Sequence, residues 1–107
     1  MTSAELKAAK AEFIAKVAKV ISKYNSVSSK LSSINSVVNT TSDTLSLKAI
    51  VDQNGMISSR IASLIGQIES EKAYVVAMVD IEIRKLEALE RRLEAEKKLK
   101  KSNTTDN

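Results

Sequence analysis

The chain has 107 residues, a net charge of +4 at neutral pH and no Pro, Cys or His; its glycines are Gly55 and Gly66 and its aromatics Phe13, Tyr24 and Tyr74. This length allows one domain at most, and so few turn formers and bulky β residues argue against a sheet protein and for long helices. Without Cys there is no disulfide, thiol nucleophile or thiolate metal site. Without His the commonest general base and neutral metal ligand are missing. Catalysis by carboxylates or Lys would need a concave, desolvated pocket, which a thin helical chain hardly offers. The expectation is a non-enzymatic protein with no cofactor, metal or catalytic residue.

The start, Met1-Thr2-Ser3-Ala4-Glu5-Leu6-Lys7, has no basic stretch leading into an apolar one, so no cleaved secretory signal is expected. No apolar run approaches the ~20 residues of a membrane span. A cytoplasmic location is the expectation, with export by a route that uses no cleaved signal as the alternative.

Thr2 and Glu5 have the spacing of a capping box, which starts a helix near Ser3. Apolar residues follow at Leu6, Phe13, Val17, Val20, Tyr24, Val27, Leu31, Ile34 and Val38. After a first gap of seven, the steps alternate four and three to the end of the run, a heptad stripe and the strongest signal in the sequence. The helix should span about 3–38. Its second half is rich in Ser and Asn, mediocre helix formers, and Asp43 is the sole charge between Leu31 and Leu47. Such a stretch is either a neutral solvent face or a small-residue surface that lets another helix approach closely. The low charge favours the second.

Asn39-Thr40-Thr41-Ser42-Asp43-Thr44 reads as a loop over 39–44, with Ser42 or Asp43 as the next N-cap. A second helical region over 45–100 carries Ile57, Ile61, Leu64, Ile65, Ile68, Val75, Val76, Val79, Ile83, Leu86, Leu89 and Leu93. Asn54-Gly55 predicts a kink, or a short helix ending near residue 53 followed by a long one from about Met56, a continuous helix through Gly55 being the alternative. Val75 to Val79 is apolar almost all round, which suggests burial on more than one side. Residues 82–101 hold eight basic and five acidic side chains, with Glu87–Arg91, Glu94–Lys98 and Glu96–Lys100 at favourable spacing. No aromatic interleaves them for base stacking, so nucleic-acid binding through this arm is the weakest of the functional readings. Residues 102–107 read as a disordered tail.

A short loop between long amphipathic helices predicts an all-α, antiparallel helical hairpin or coiled coil. The reading is a single hairpin domain over 1–101, about a third of its longer second arm overhanging or folding back. The residues expected to meet a partner are Phe13, Val17, Val20, Tyr24, Val27, Leu31, Ile34 and Val38 on the first arm, with Ile61, Leu64, Ile68, Val75 and Val79 on the second.

The Ser/Asn/Val-rich segment from Ser22 to Val38, the polar loop Asn39–Thr44 and the run Ile57-Ser58-Ser59-Arg60-Ile61-Ala62-Ser63-Leu64-Ile65 carry a resemblance over most of the chain. It resembles the small helical-hairpin partners of type VII secretion, in particular those encoded beside LXG-type toxins and related to the WXG-type proteins. The likeness is one of length and pattern. The Trp-x-Gly turn is absent, and so is the export signal of an aromatic followed four residues later by an acid: Phe13 meets Val17, Tyr24 meets Ser28 and Tyr74 meets Met78 at that spacing. The resemblance implies a targeting chaperone that pairs with the helical N-terminal domain of a secreted toxin, the export signal being supplied by the partner or by a second small protein. The alternatives are a self-assembling structural coiled coil, such as a phage or filament component, and a nucleic-acid-binding hairpin.

Overall fold

The computed structural model describes residues 1–41 and 45–105, without the side chains of 40, 41, 46 and 103–105. It contains two helices, α1 (Ser3–Thr41) and α2 (Leu45–Thr105), and no strand among the described residues. The protein is an all-α, antiparallel helical hairpin. Its residues divide into two compact units, one of Met1–Phe13 with Ala73–Asn107 and one of Ile14–Lys72.

The α1 N-terminus is fixed by the capping box. The Thr2 Oγ1 accepts from the Glu5 amide at 3.1 Å, and Glu5 Oε1 accepts from the Thr2 amide at 3.3 Å. Two donors that no helical carbonyl could reach are thereby satisfied. In this first unit α1 buries one side of Ser3, Leu6, Lys10 and Phe13, while α2 offers Val76, Val79, Ile83 and Leu86. Ile83, only 5% exposed, is the best-covered side chain described. Ion pairs Lys7–Glu87 (3.4 Å) and Lys10–Asp80 (2.6 Å) bracket the seam in antiparallel order. Both remain partly solvated and contribute at most about 1 kcal/mol each.

In the second unit the seam keeps heptad spacing on both helices. On α1 it consists of Ile14, Val17, Ile21, Tyr24, Ser28, Leu31, Asn35 and Val38. On α2 it consists of Leu47, Val51, Asn54, Ser58, Ile61, Ile65, Ile68 and Lys72. Asn54 donates to Asn35 Oδ1 at 2.9 Å, which sets the register. The seam towards the turn is small and polar (Ser28, Asn35, Asn54, Ser58), so part of the Ser/Asn-rich surface expected to receive another helix receives α2 of the same chain.

Two boundaries differ from the sequence reading, and part of a third lies outside the described residues. The α1 helix continues through Thr41, so Asn39 to Thr41 are helical and belong to no loop. Residues 42–44, including both candidate N-caps, lie outside the described residues. The expected disordered tail is helical as far as Thr105, with 106–107 outside the described residues.

The short helix expected to end near residue 53 is absent, for α2 is continuous through Asn54-Gly55 with no positive φ, the alternative reading of the sequence. The physical reason lies in the pair itself. Asn54 is drawn into the seam by Asn35, and Gly55 falls on the exposed side, where its helical backbone needs no special conformation.

Candidate docking face

The thirteen residues expected at an interface divide into two sets. Phe13, Val17, Tyr24, Leu31, Val38, Ile68 and Val79 are half-buried and Ile61 is buried at 7% exposure, all on the side turned to the other helix. Val20, Val27, Ile34, Leu64 and Val75 are exposed. The stripe read as one seam is thus two adjacent ones, and the residues that complete the true seam of the second unit on α1 are Ile14, Ile21, Ser28 and Asn35. These four follow one another at intervals of seven, which was the available signal. Two of them are polar, so a search for apolar residues alone passes over them.

The exposed set has its own order. Each of Val20, Val27 and Ile34 precedes a seam residue of α1 (Ile21, Ser28, Asn35), and each of Ile50, Ile57 and Leu64 precedes one of α2 (Val51, Ser58, Ile65). All six are between 41% and 48% exposed. In heptad terms both triplets occupy the g position. When two helices run antiparallel and face to face, the second is upside down relative to the first, so g residues of both fall on the same side of the seam.

Pairing of Asn35 with Asn54 then sets their order along the hairpin as Ile50, Ile34, Ile57, Val27, Leu64 and Val20, alternating between the helices. The row is about 28 Å long at 1.5 Å per residue. Shallow open grooves lie along it, one of about 230 Å³ at Val20, Lys23, Tyr24 and Val27, another of about 330 Å³ at Gln53, Met56, Ile57 and Arg60.

The first unit has a different character. Val76 and Val79 turn towards α1 while Val75 and Met78 are exposed, so the apolar patch at 75–79 is covered on one side. Glu90 reaches across to α1, its carboxylate accepting from the Ser3 amide at 3.0 Å and from the Ser3 hydroxyl. These bonds, the hydroxyl one foremost, hold Glu90 below its ordinary pKa, and the bonds from Thr2 do the same for Glu5. From Arg91 to Ser102 every side chain is exposed, so this stretch of α2 buries little of its surface.

Among the described residues no group of His, Cys, Asp or Glu is arranged to hold a metal ion, and no helix is long and apolar enough to cross a membrane. What fold and surface define together is a helical hairpin whose second unit carries an uncovered apolar row. No protein-family model, curated protein or solved structure matches the chain.

Proposed function

We propose that this protein is a non-enzymatic binding hairpin whose partner is another helical protein. The observation that carries the reading is the single-sided row of six exposed aliphatic residues at heptad spacing. Solvated coiled-coil flanks ordinarily bear charge at these positions, whereas aliphatic residues repeated every seventh position are the pattern of a seam. A third helix laid along the row would bury them and turn a two-helix seam into a three-helix core. The resemblance to the small partners of type VII secretion makes the helical N-terminal region of an LXG-type toxin the first partner to test, in a targeting-chaperone role.

Light scattering coupled to size exclusion, with circular dichroism on the same sample, tests the reading. A helical monomer that forms a defined complex when co-expressed with such a toxin region supports it. A dimer or higher oligomer that persists on dilution overturns it in favour of a self-assembling coiled coil.

A further inference from the structure

We infer that the apolar row of the second unit takes an amphipathic helix whose own apolar stripe is edged by acidic residues, an inference that rests on the partner-binding reading above. The argument is the charge along the edges of the row. The residue three positions after each g residue is its outer neighbour on the helix surface. On α1 the outer neighbours of Val20, Val27 and Ile34 are Lys23, Lys30 and Val37; on α2 those of Ile50, Ile57 and Leu64 are Gln53, Arg60 and Gln67. Lys23 and Arg60 line the two grooves themselves. Among the described residues none of Lys23, Lys30 and Arg60 has a carboxylate partner.

None of the described acids of this unit is an outer neighbour of the six aliphatic residues. Asp52 and Glu69 each follow a seam residue (Val51 and Ile68) and lie away from the row, and Glu71, seven residues after Leu64, ends it. Along the apolar row the edges are therefore neutral or cationic on both helices.

Edges of one sign choose the occupant. A second copy docking by the same face would bring its Lys23, Lys30 and Arg60 against a cationic surface, and like charges across an interface oppose association. A helix with Glu or Asp beside its apolar stripe gains on both counts: it covers the aliphatic residues and meets the cations at their edge. A partner segment of about 20 helical residues spans the row. Nucleic acid would also meet the cations, but it would leave the six aliphatic residues uncovered.

The test uses the full chain and two synthetic four-heptad helices with an identical Leu/Ile stripe, one edged with Glu and one with Lys, titrated by fluorescence anisotropy. The Glu-edged helix is expected to bind at least about tenfold more tightly, by a margin that narrows as salt is added. In the variant Val27→Ser with Ile57→Ser, its affinity should fall at least about tenfold with an unchanged circular dichroism melt, since both side chains are exposed. Lys30→Glu with Arg60→Glu should shift the preference towards the Lys-edged helix.

Equal binding of the two helices, binding of neither, or a preference that ignores the charge reversal overturns the acidic-edge inference and leaves the partner reading standing. Self-association abolished by Val27→Ser with Ile57→Ser would put a second copy on the row and overturn both. Binding of a DNA duplex that is lost in Lys23→Glu with Lys30→Glu would assign the edge to nucleic acid and overturn the inference.

Discussion

The amide of Asn54 donates to Oδ1 of Asn35 at 2.9 Å, so two polar side chains meet inside the seam of the second unit. The Asn35 amide in turn reaches the Val51 carbonyl at a long 3.5 Å. A polar pair at seam positions stabilises less than two aliphatic residues would, yet satisfies itself in one register only. That matters here, because aliphatic residues at heptad spacing on two adjacent stripes of α1 would otherwise let α2 choose between them.

Replacing Asn54 by Ala should lower stability by about 1 kcal/mol, because a half-buried amide loses its best partner. Replacing both Asn35 and Asn54 by Leu should raise the melting temperature and weaken the choice of register. Cysteine pairs placed for the native and for a heptad-shifted alignment report this by cross-linking. Only the native pair should close in the parent chain, and both in the double variant.

Acid should act on the first unit through Glu90 and Glu5. Both carboxyls titrate below their ordinary value near 4.5 because they accept hydrogen bonds in the fold, Glu90 from Ser3 and Glu5 from Thr2. Each therefore binds fewer protons folded than unfolded. The stability they contribute is full above the unfolded value and is lost as the pH falls through the lower folded one. Protection of the first-turn amides of α1, corrected for the intrinsic pH dependence of exchange, should hold near neutrality and fall below about pH 4.5. Glu90→Gln should lose part of that acid response; an unchanged profile would remove Glu90 from the account.

Gly55→Ala should stabilise the hairpin by about 1 kcal/mol, the helix-propensity difference between the two residues. Nothing lies within 4 Å of where a Cβ at Gly55 would stand, and its φ is not positive. Gly66 is equally open and should behave alike. Thermal melts decide the matter. A fall in stability would show that α2 needs its flexibility at this point.

The division between seam and face can be measured directly. Ile61→Ala and Ile83→Ala remove the two best-buried side chains, and each should cost about 2–5 kcal/mol, nearer the lower figure because a thin seam can collapse around the gap. Val27→Ala and Ile57→Ala, on the exposed row, should stay within about 0.5 kcal/mol of the parent. Denaturant midpoints that rank Val27 with Ile61 would put Val27 back in the seam, as its heptad spacing alone suggests.

The helices themselves were legible because their causes are local. No Pro interrupts the chain, Thr2 and Glu5 carry the cap in four residues, and alternating three and four steps can be counted along the line. The hairpin followed from two such stripes and a polar connection. Whether Gly55 ends a helix was not legible locally: its neighbour Asn54 is tied to Asn35, nineteen residues away, and no local rule records that bond. Ser28 and Asn35 were missed as seam residues because polarity hides them until the opposite helix is in place.

Sequence alone determined that this protein is two amphipathic helices, since helix propensity, capping and heptad spacing are written within a few residues of one another. Only the tertiary structure decided which side of each helix is spent on the other. The aliphatic stripe of α1 is wider than one antiparallel partner can cover. Pairing of Asn35 with Asn54 and of Ser3 with Glu90 fixes where α2 lies, and Val20, Val27 and Ile34 are left outside with Ile50, Ile57 and Leu64 beside them.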